Sequence, residues 1–241
     1  MKKYLALEYE ENFVLVQEGD TFYYGGDQAW YSTTVRRSSA CGTVAATNIA
    51  VYEGLYRTFK IEGELSEHPI SLEQFLSCMN EMYSYIRPFK IPFLSEDTPP
   101  FKGFGWSLGV WPAGRLIRGM KRFAKAAGIF LTSVSYRKNR EAAENFIETA
   151  LKRNCPVALL LGTVVGLKNI PVRYPNGSAF TQPDFSRHWV TVTAMKCREY
   201  SIYIKVSTWG GYAWLPLADC FHTTFIKSRM CYFSPAETSK Q

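Results

Sequence analysis

Two side chains of this sequence could do nucleophilic chemistry together. Cys41 follows the polar run Arg37-Ser38-Ser39 and opens Gly42-Thr43-Val44-Ala45-Ala46-Thr47-Asn48-Ile49-Ala50-Val51-Tyr52, whose apolar residues recur at helical spacing. A thiol at a helix N-terminus feels the positive end of the helix dipole and nearby unpaired N–H groups, and both favour thiolate. Ser38 and Ser39 are the expected caps of that first turn. His188 opens the strand-like stretch His188-Trp189-Val190-Thr191-Val192-Thr193-Ala194, after the turn Gln182 to Arg187. A neutral imidazole at the mouth of a strand can deprotonate a thiol on a facing helix and, once protonated, stabilise the thiolate. Each residue also has an inert reading: a buried structural cysteine and a hydrogen-bonded structural histidine. Of the other histidines, His68 lies before Pro69 in a polar connection, and His222 follows Asp219-Cys220-Phe221 and is expected to be partly buried.

The elements that must position this pair are legible in outline. Residues 3–16 read as strand, acidic turn and strand, and 22–30 as an aromatic loop. The Cys41 helix is expected to run to about Phe59. Ser71-Leu72-Glu73-Gln74 has a capping pattern and starts a second helix with Leu72, Phe75, Leu76, Met79 and Tyr83 inward, stopped by Pro88. Residues 88–112 are rich in Pro, Gly and aromatics and read as a long ordered loop or lobe crossover. A basic amphipathic helix, Ala113 to Ala127, follows, with Arg115, Arg118, Lys121, Arg122 and Lys125 on its solvated face. Then come a strand (Ile129 to Tyr136), a helix (Arg140 to Arg153) and strands at 157–162, 188–196, 202–206, 211–215 and 230–233. Helices in the first half and an antiparallel sheet in the second make an α+β pattern. The expected organisation is one domain, 1–241, of two lobes: 1–128 mainly helical and 129–241 mainly β.

Composition narrows the function classes. The chain has 241 residues, 46% hydrophobic and 15% aromatic, enough for a sizeable core. The formal net charge of +7 is scattered in pairs such as Arg36-Arg37 and Lys152-Arg153, without the long basic run of a nucleic-acid arm. No stretch is apolar for long enough to span a bilayer, and Glu8, Glu10 and Glu11 interrupt any signal-peptide pattern. Six cysteines without CxxC or zinc spacing read as reduced, mostly buried thiols, which points to a cytoplasmic location. No metal or cofactor is expected, and no nucleic-acid partner.

The order of these features resembles the papain-like cysteine peptidases, and most closely their bacterial branch related to bacteriocin-processing (double-glycine leader) peptidases. The matching segments are SACGTVAATN (39–48), FIETALKRNCPVALLLG (146–162), RHWVTVTAM (187–195) and IYIKVSTWGGYAWLPLADCF (202–221). The resemblance implies a papain-like fold with a helical lobe whose catalytic helix packs on an antiparallel sheet. It makes Cys41 the nucleophile, His188 the general base and later acid, and the Cys41 backbone N–H one oxyanion donor. The substrate would be a peptide or amide, taken through a thioester. Residues 60–130 have no counterpart. Two positions depart from the family pattern. The residue that orients the histidine, Asn or Asp before the Trp-Gly turn, is Ser207 here, followed by Thr208. The oxyanion Gln is Val35, which leaves Gln28, Arg37, Ser38 and Ser39 as candidates to replace it.

Three further readings use the same residues. An acyltransferase would employ the same Cys–His dyad. A non-catalytic binding module would keep the fold without the orienting group. Trp106, Trp111, Trp189 and Trp209 would line a ligand groove, with Trp189 and Trp209 nearest the dyad.

Overall fold

A computed structural model describes residues 4–55, 69–89, 109–136 and 140–236. The expected polar connection with His68, the helix extension past residue 55 and most of the aromatic-rich stretch, including Trp106, lie outside the described residues. The architecture is α+β, built on a nine-stranded sheet that is antiparallel at every pairing.

The chain starts with β1 (Tyr4–Ala6), β2 (Leu15–Glu18) and β3 (Thr21–Tyr24), then a 3-10 turn (Gln28–Trp30) and α1 (Thr34–Ser39). Next come α2 (Cys41–Tyr52), β4 (Ile70–Ser71), α3 (Leu72–Tyr85) and α4 (Gly114–Ala126). After β5 (Leu131–Tyr136) and α5 (Arg140–Lys152) the chain forms β6 (Val157–Leu161), β7 (Ile170–Arg173) and β8 (Ala179–Gln182). The long strands β9 (His188–Arg198), β10 (Ser201–Thr208) and β11 (Gly211–Pro216) follow, then α6 (Leu217–Phe221) and β12 (Arg229–Pro235). The large sheet runs β5-β12-β6-β9-β10-β11-β7-β8, with β1 added to β9; β3, β2 and β4 form a smaller sheet.

Several expectations change. Residues 22–24 belong to a strand, because the 21–24 stretch pairs with β2 around the Gly19 turn. The strands β7 and β8, which irregular sequence around Pro171 and Pro183 conceals, are additions, as is the short helix α6. The Cys41 helix stops at Tyr52, where Gly54 at φ +63° reverses the chain. The strand β1 pairs with β9, so an N-terminal segment adds a strand to the sheet of the C-terminal half. The capping box at Ser71 and Gln74 forms as expected. His222 is exposed, and among the six free cysteines only Cys197 is not buried.

Helix α2 is the centre of the fold. Every residue from Cys41 to Val51 is buried, which is why its apolar residues surround it instead of forming a stripe. It packs against β6 and β9 on one side and α3 and α4 on the other. Thr191 of β9 donates to the Ala45 carbonyl (3.5 Å), and the Trp189 indole lies against Gly42, so the N-terminus of α2 meets the beginning of β9. A Cβ on Gly42 would sit 2.6 Å from Val110 and 2.9 Å from Trp189, so glycine after Cys41 is a packing requirement. Among the described residues no helix is long and apolar enough to cross a membrane.

Candidate active site

Cys41 stands at the junction of two helices. Ser38 and Ser39 form the last turn of α1, and both hydroxyls donate back to the Val35 carbonyl (3.1 and 2.5 Å). They therefore do not cap α2, and Ser39 is not an oxyanion donor: a serine in a helix's last turn satisfies itself on the carbonyl one turn back. The N-cap position is Ala40, with no side-chain cap. The first N–H groups of α2 are thereby left to the sulfur, and the amides of Cys41, Gly42 and Trp189 all favour its thiolate. Burial outweighs them, so the Cys41 thiol is pushed up from its ordinary value.

His188 begins β9, opposite Leu161 of β6. Its Nε2 is 2.7 Å from the Thr208 hydroxyl. Strand parity explains why Thr208 and not Ser207 holds it. Ser207 pairs with Thr191, and both face α2; the adjacent residue Thr208 has the opposite parity, which it shares with Val190 and His188. Ser207 instead donates to the Tyr24 carbonyl (2.9 Å) and accepts from Asn48 Nδ2 (3.3 Å). Reading Ser207 as the orienting residue is thus corrected by one position.

The imidazole is stacked on the Trp209 ring, with centroids 4.1 Å apart and planes 4° from parallel, and Phe185 approaches edge-on. Trp209 and Gly210 are the two loop residues between β10 and β11, both at positive φ (+47° and +69°), as a type I′ hairpin requires. A bulky side chain in that backbone region costs on the order of 1 kcal/mol. The tight turn is what throws the indole over the histidine. Burial lowers the His188 pKa to about 3, so the ring is neutral at physiological pH.

Cys41, His188, Ser207, Thr208 and Trp209 line one small cavity together with Gln28, Asn48 and Trp189. Its free space is about 10 Å³, about one water-sized sphere. Among the described residues no hydrogen bond joins the Cys41 sulfur to the imidazole. Gln28 enters from the 3-10 turn, which Asp27 caps through the Ala29 N–H (2.8 Å). Its Oε1 is buried without a hydrogen-bond partner, so the amide is held at the cavity rather than tied into the wall. Val35 is a buried residue of α1, the helix that lies between Gln28 and Cys41 in the chain. Arg37 and Ser38 do not line the cavity.

Trp189, expected as a binding residue, is buried, and its indole N–H donates to the Val110 carbonyl (2.9 Å); its side chain is structural. Asn48 is the residue the sequence reading missed. It accepts the Gly26 N–H (2.9 Å) and donates to Ser207, tying the Gln28 loop to both helix and sheet. The signal was available: Asn48 lies seven residues after Cys41, two helical turns along the same face. Among the described residues no cluster of three His, Cys, Asp or Glu side chains could hold a metal ion.

Beneath the site, Lys205 and Glu10 form a buried ion pair. Tyr24 donates to Glu10 and accepts from the Thr193 hydroxyl (3.0 Å), and Tyr4 donates to the other Glu10 oxygen (2.8 Å). The Lys205 ammonium also lies over the Tyr24 and Tyr212 rings. The network fixes the strand whose Tyr24 carbonyl receives Ser207. Compared with known proteins, the sequence matches no family model and no curated protein sequence.

Proposed function

We propose that the protein is a papain-like thiol hydrolase, a cysteine peptidase or amidase, with Cys41 and His188 as its dyad. The observation that carries this reading is the convergence of Cys41, His188 and Gln28 on one cavity, with Thr208 behind the imidazole. In this mechanism His188 takes the thiol proton as Sγ attacks the acyl carbonyl. The oxyanion is met by the Cys41 backbone N–H and the Gln28 amide. His188 returns the proton to the leaving amine, and a thioester remains on Cys41. Water, deprotonated by His188, then releases the acid and the free thiol. An amine acceptor in place of water would make the same dyad an acyltransferase. Thr208 supplies the fixed ring orientation that an Asn or Asp gives in the resembling family, without a charge.

The second reading, a non-catalytic binding module on the same fold, is favoured by the small size of the cavity and by the raised thiol in it. Acylation distinguishes the two. Incubation with p-nitrophenyl acetate followed by peptide mass mapping is expected to place acetyl on Cys41, and His188→Ala is expected to slow it by about a hundredfold or more. Acetyl confined to the accessible Cys197, or Cys41 acylation indifferent to His188, would establish the binding module instead.

A further inference from the structure

A much larger cleft, about 650 Å³, opens on the helical side of the molecule. One wall is the end of α3 and its continuation, Tyr85 to Phe89; the other is 111–122, including the basic face of α4. Five cations line it: Arg87, Arg115, Arg118, Lys121 and Arg122. No acidic side chain does among its described lining residues. Arg122 is spent on the wall, donating to the Tyr85 carbonyl (2.8 Å). Arg115 lies 5.6 Å over the Phe89 ring. Arg87, Arg118 and Lys121 are exposed and have no carboxylate partner among the described residues. Phe89 and Trp111 are 41% and 45% exposed, an unusual pair of large aromatics left open beside so many cations.

Both walls are anchored to the first turn of α2. The Thr43 hydroxyl donates to the Ile86 carbonyl (2.8 Å), and Val110, next to Trp111, packs on Gly42 and accepts the Trp189 indole N–H. The cleft is thus tied to the two residues that follow Cys41. Along α4, Arg115, Arg118 and Arg122 are spaced three and four residues apart, so they form one stripe about 10 Å long. An extended peptide covers that length with about three residues.

We propose that this cleft binds an acidic peptide segment, the part of the substrate that lies beyond the bond presented to Cys41. The assignment of the segment to a substrate rests on the peptidase reading; the binding itself does not. Carboxylates meet the stripe of arginines and Lys121, and the aliphatic parts of the segment cover Phe89 and Trp111. A nucleic acid is disfavoured, because the cleft is tied to a thiol–imidazole site and the surface charge elsewhere is scattered.

The test is equilibrium binding of a fluorescein-labelled poly-glutamate peptide of about eight residues, measured by anisotropy on Cys41→Ala protein so that no turnover intervenes. Binding should weaken by about tenfold or more in the combined variant Arg115→Glu, Arg118→Glu, Lys121→Glu. It should be unchanged in Lys125→Glu, which reverses an exposed charge on the same helix outside the cleft. Circular dichroism of each variant checks that α4 is intact. Equal loss in Lys125→Glu, equal binding of a poly-glutamine peptide, or tighter binding of a single-stranded oligonucleotide would each overturn the proposal. Cleavage of neutral peptides with no poly-glutamate binding would sink this inference alone. Poly-glutamate binding with no Cys41 acylation would sink the peptidase reading alone.

Discussion

The burial of His188 has a measurable consequence for stability. The folded-state pKa is lowered to about 3 by burial, from an ordinary 6.5 in the unfolded chain. The unfolded chain therefore takes up this proton first as the solution is acidified. The histidine's contribution is complete above about pH 6.5 and is lost progressively as pH falls toward about 3. Over the whole window the shift corresponds to a ceiling of roughly 5 kcal/mol, and between about pH 7.5 and pH 5 to about 2 kcal/mol. The perturbation is His188→Gln, which cannot take up a proton in this range and still offers Thr208 a hydrogen-bond partner. Urea unfolding at the two pH values gives four free energies. Wild type is expected to lose about 2 kcal/mol more than the variant on acidification, while every carboxylate titration is common to both. An equal loss in the two proteins would mean that the imidazole is solvated and protonated in the folded state. The stacked, neutral ring on which the proposed proton transfer depends would then be wrong.

Other outcomes follow from the same geometry. Thr208→Val keeps the side-chain shape but removes the partner of His188 Nε2, and should slow Cys41 acylation by roughly tenfold or more. Ser207→Ala should leave that rate near wild type and instead cost about 1–3 kcal/mol in urea unfolding, because Asn48 and the Tyr24 carbonyl lose a shared partner. Gln28→Ala should reduce acylation by about a hundredfold, whereas Ser39→Ala should not change it, as Ser39 is bonded within its own helix. Lys205→Met strands the Glu10 carboxylate and is expected to cost about 3–5 kcal/mol by thermal or urea unfolding; adding Glu10→Leu should recover a large part of it.

Local sequence determined a good deal of this protein. The spacing of apolar residues defines α3, α4 and α5, the Ser71 and Gln74 pair defines where α3 begins, and the runs of small, apolar and β-branched residues after Cys41 and His188 mark α2 and β9. These patterns survive folding because each is satisfied within a few residues or on one face of one element. They are enough to put Cys41 at a helix start and His188 at a strand start. The same local reading misassigned the serines: Ser38 and Ser39 look like caps for α2, but an extra turn of helix before Ala40 claims them. It also missed the β7–β8 hairpin, whose prolines at 171 and 183 mimic a loop.

Only tertiary structure decided which polar groups reach the site. Whether Ser207 or Thr208 meets His188 depends on the register of β10 against β9, and a shift of one residue sends a side chain to the other face of the sheet. Gln28 lines the cavity although a whole helix, α1, separates it from Cys41 in the chain, a distance that no spacing rule anticipates. The basic face of α4 reads from sequence as a solvated stripe; the neighbouring wall from Tyr85 to Phe89 makes it the side of a cleft. The thiol's acidity was decided the same way. A helix N-terminus alone argues for a thiolate at Cys41, but desolvation by the surrounding core acts on the same group and is the larger effect, and it exists only once the chain is packed.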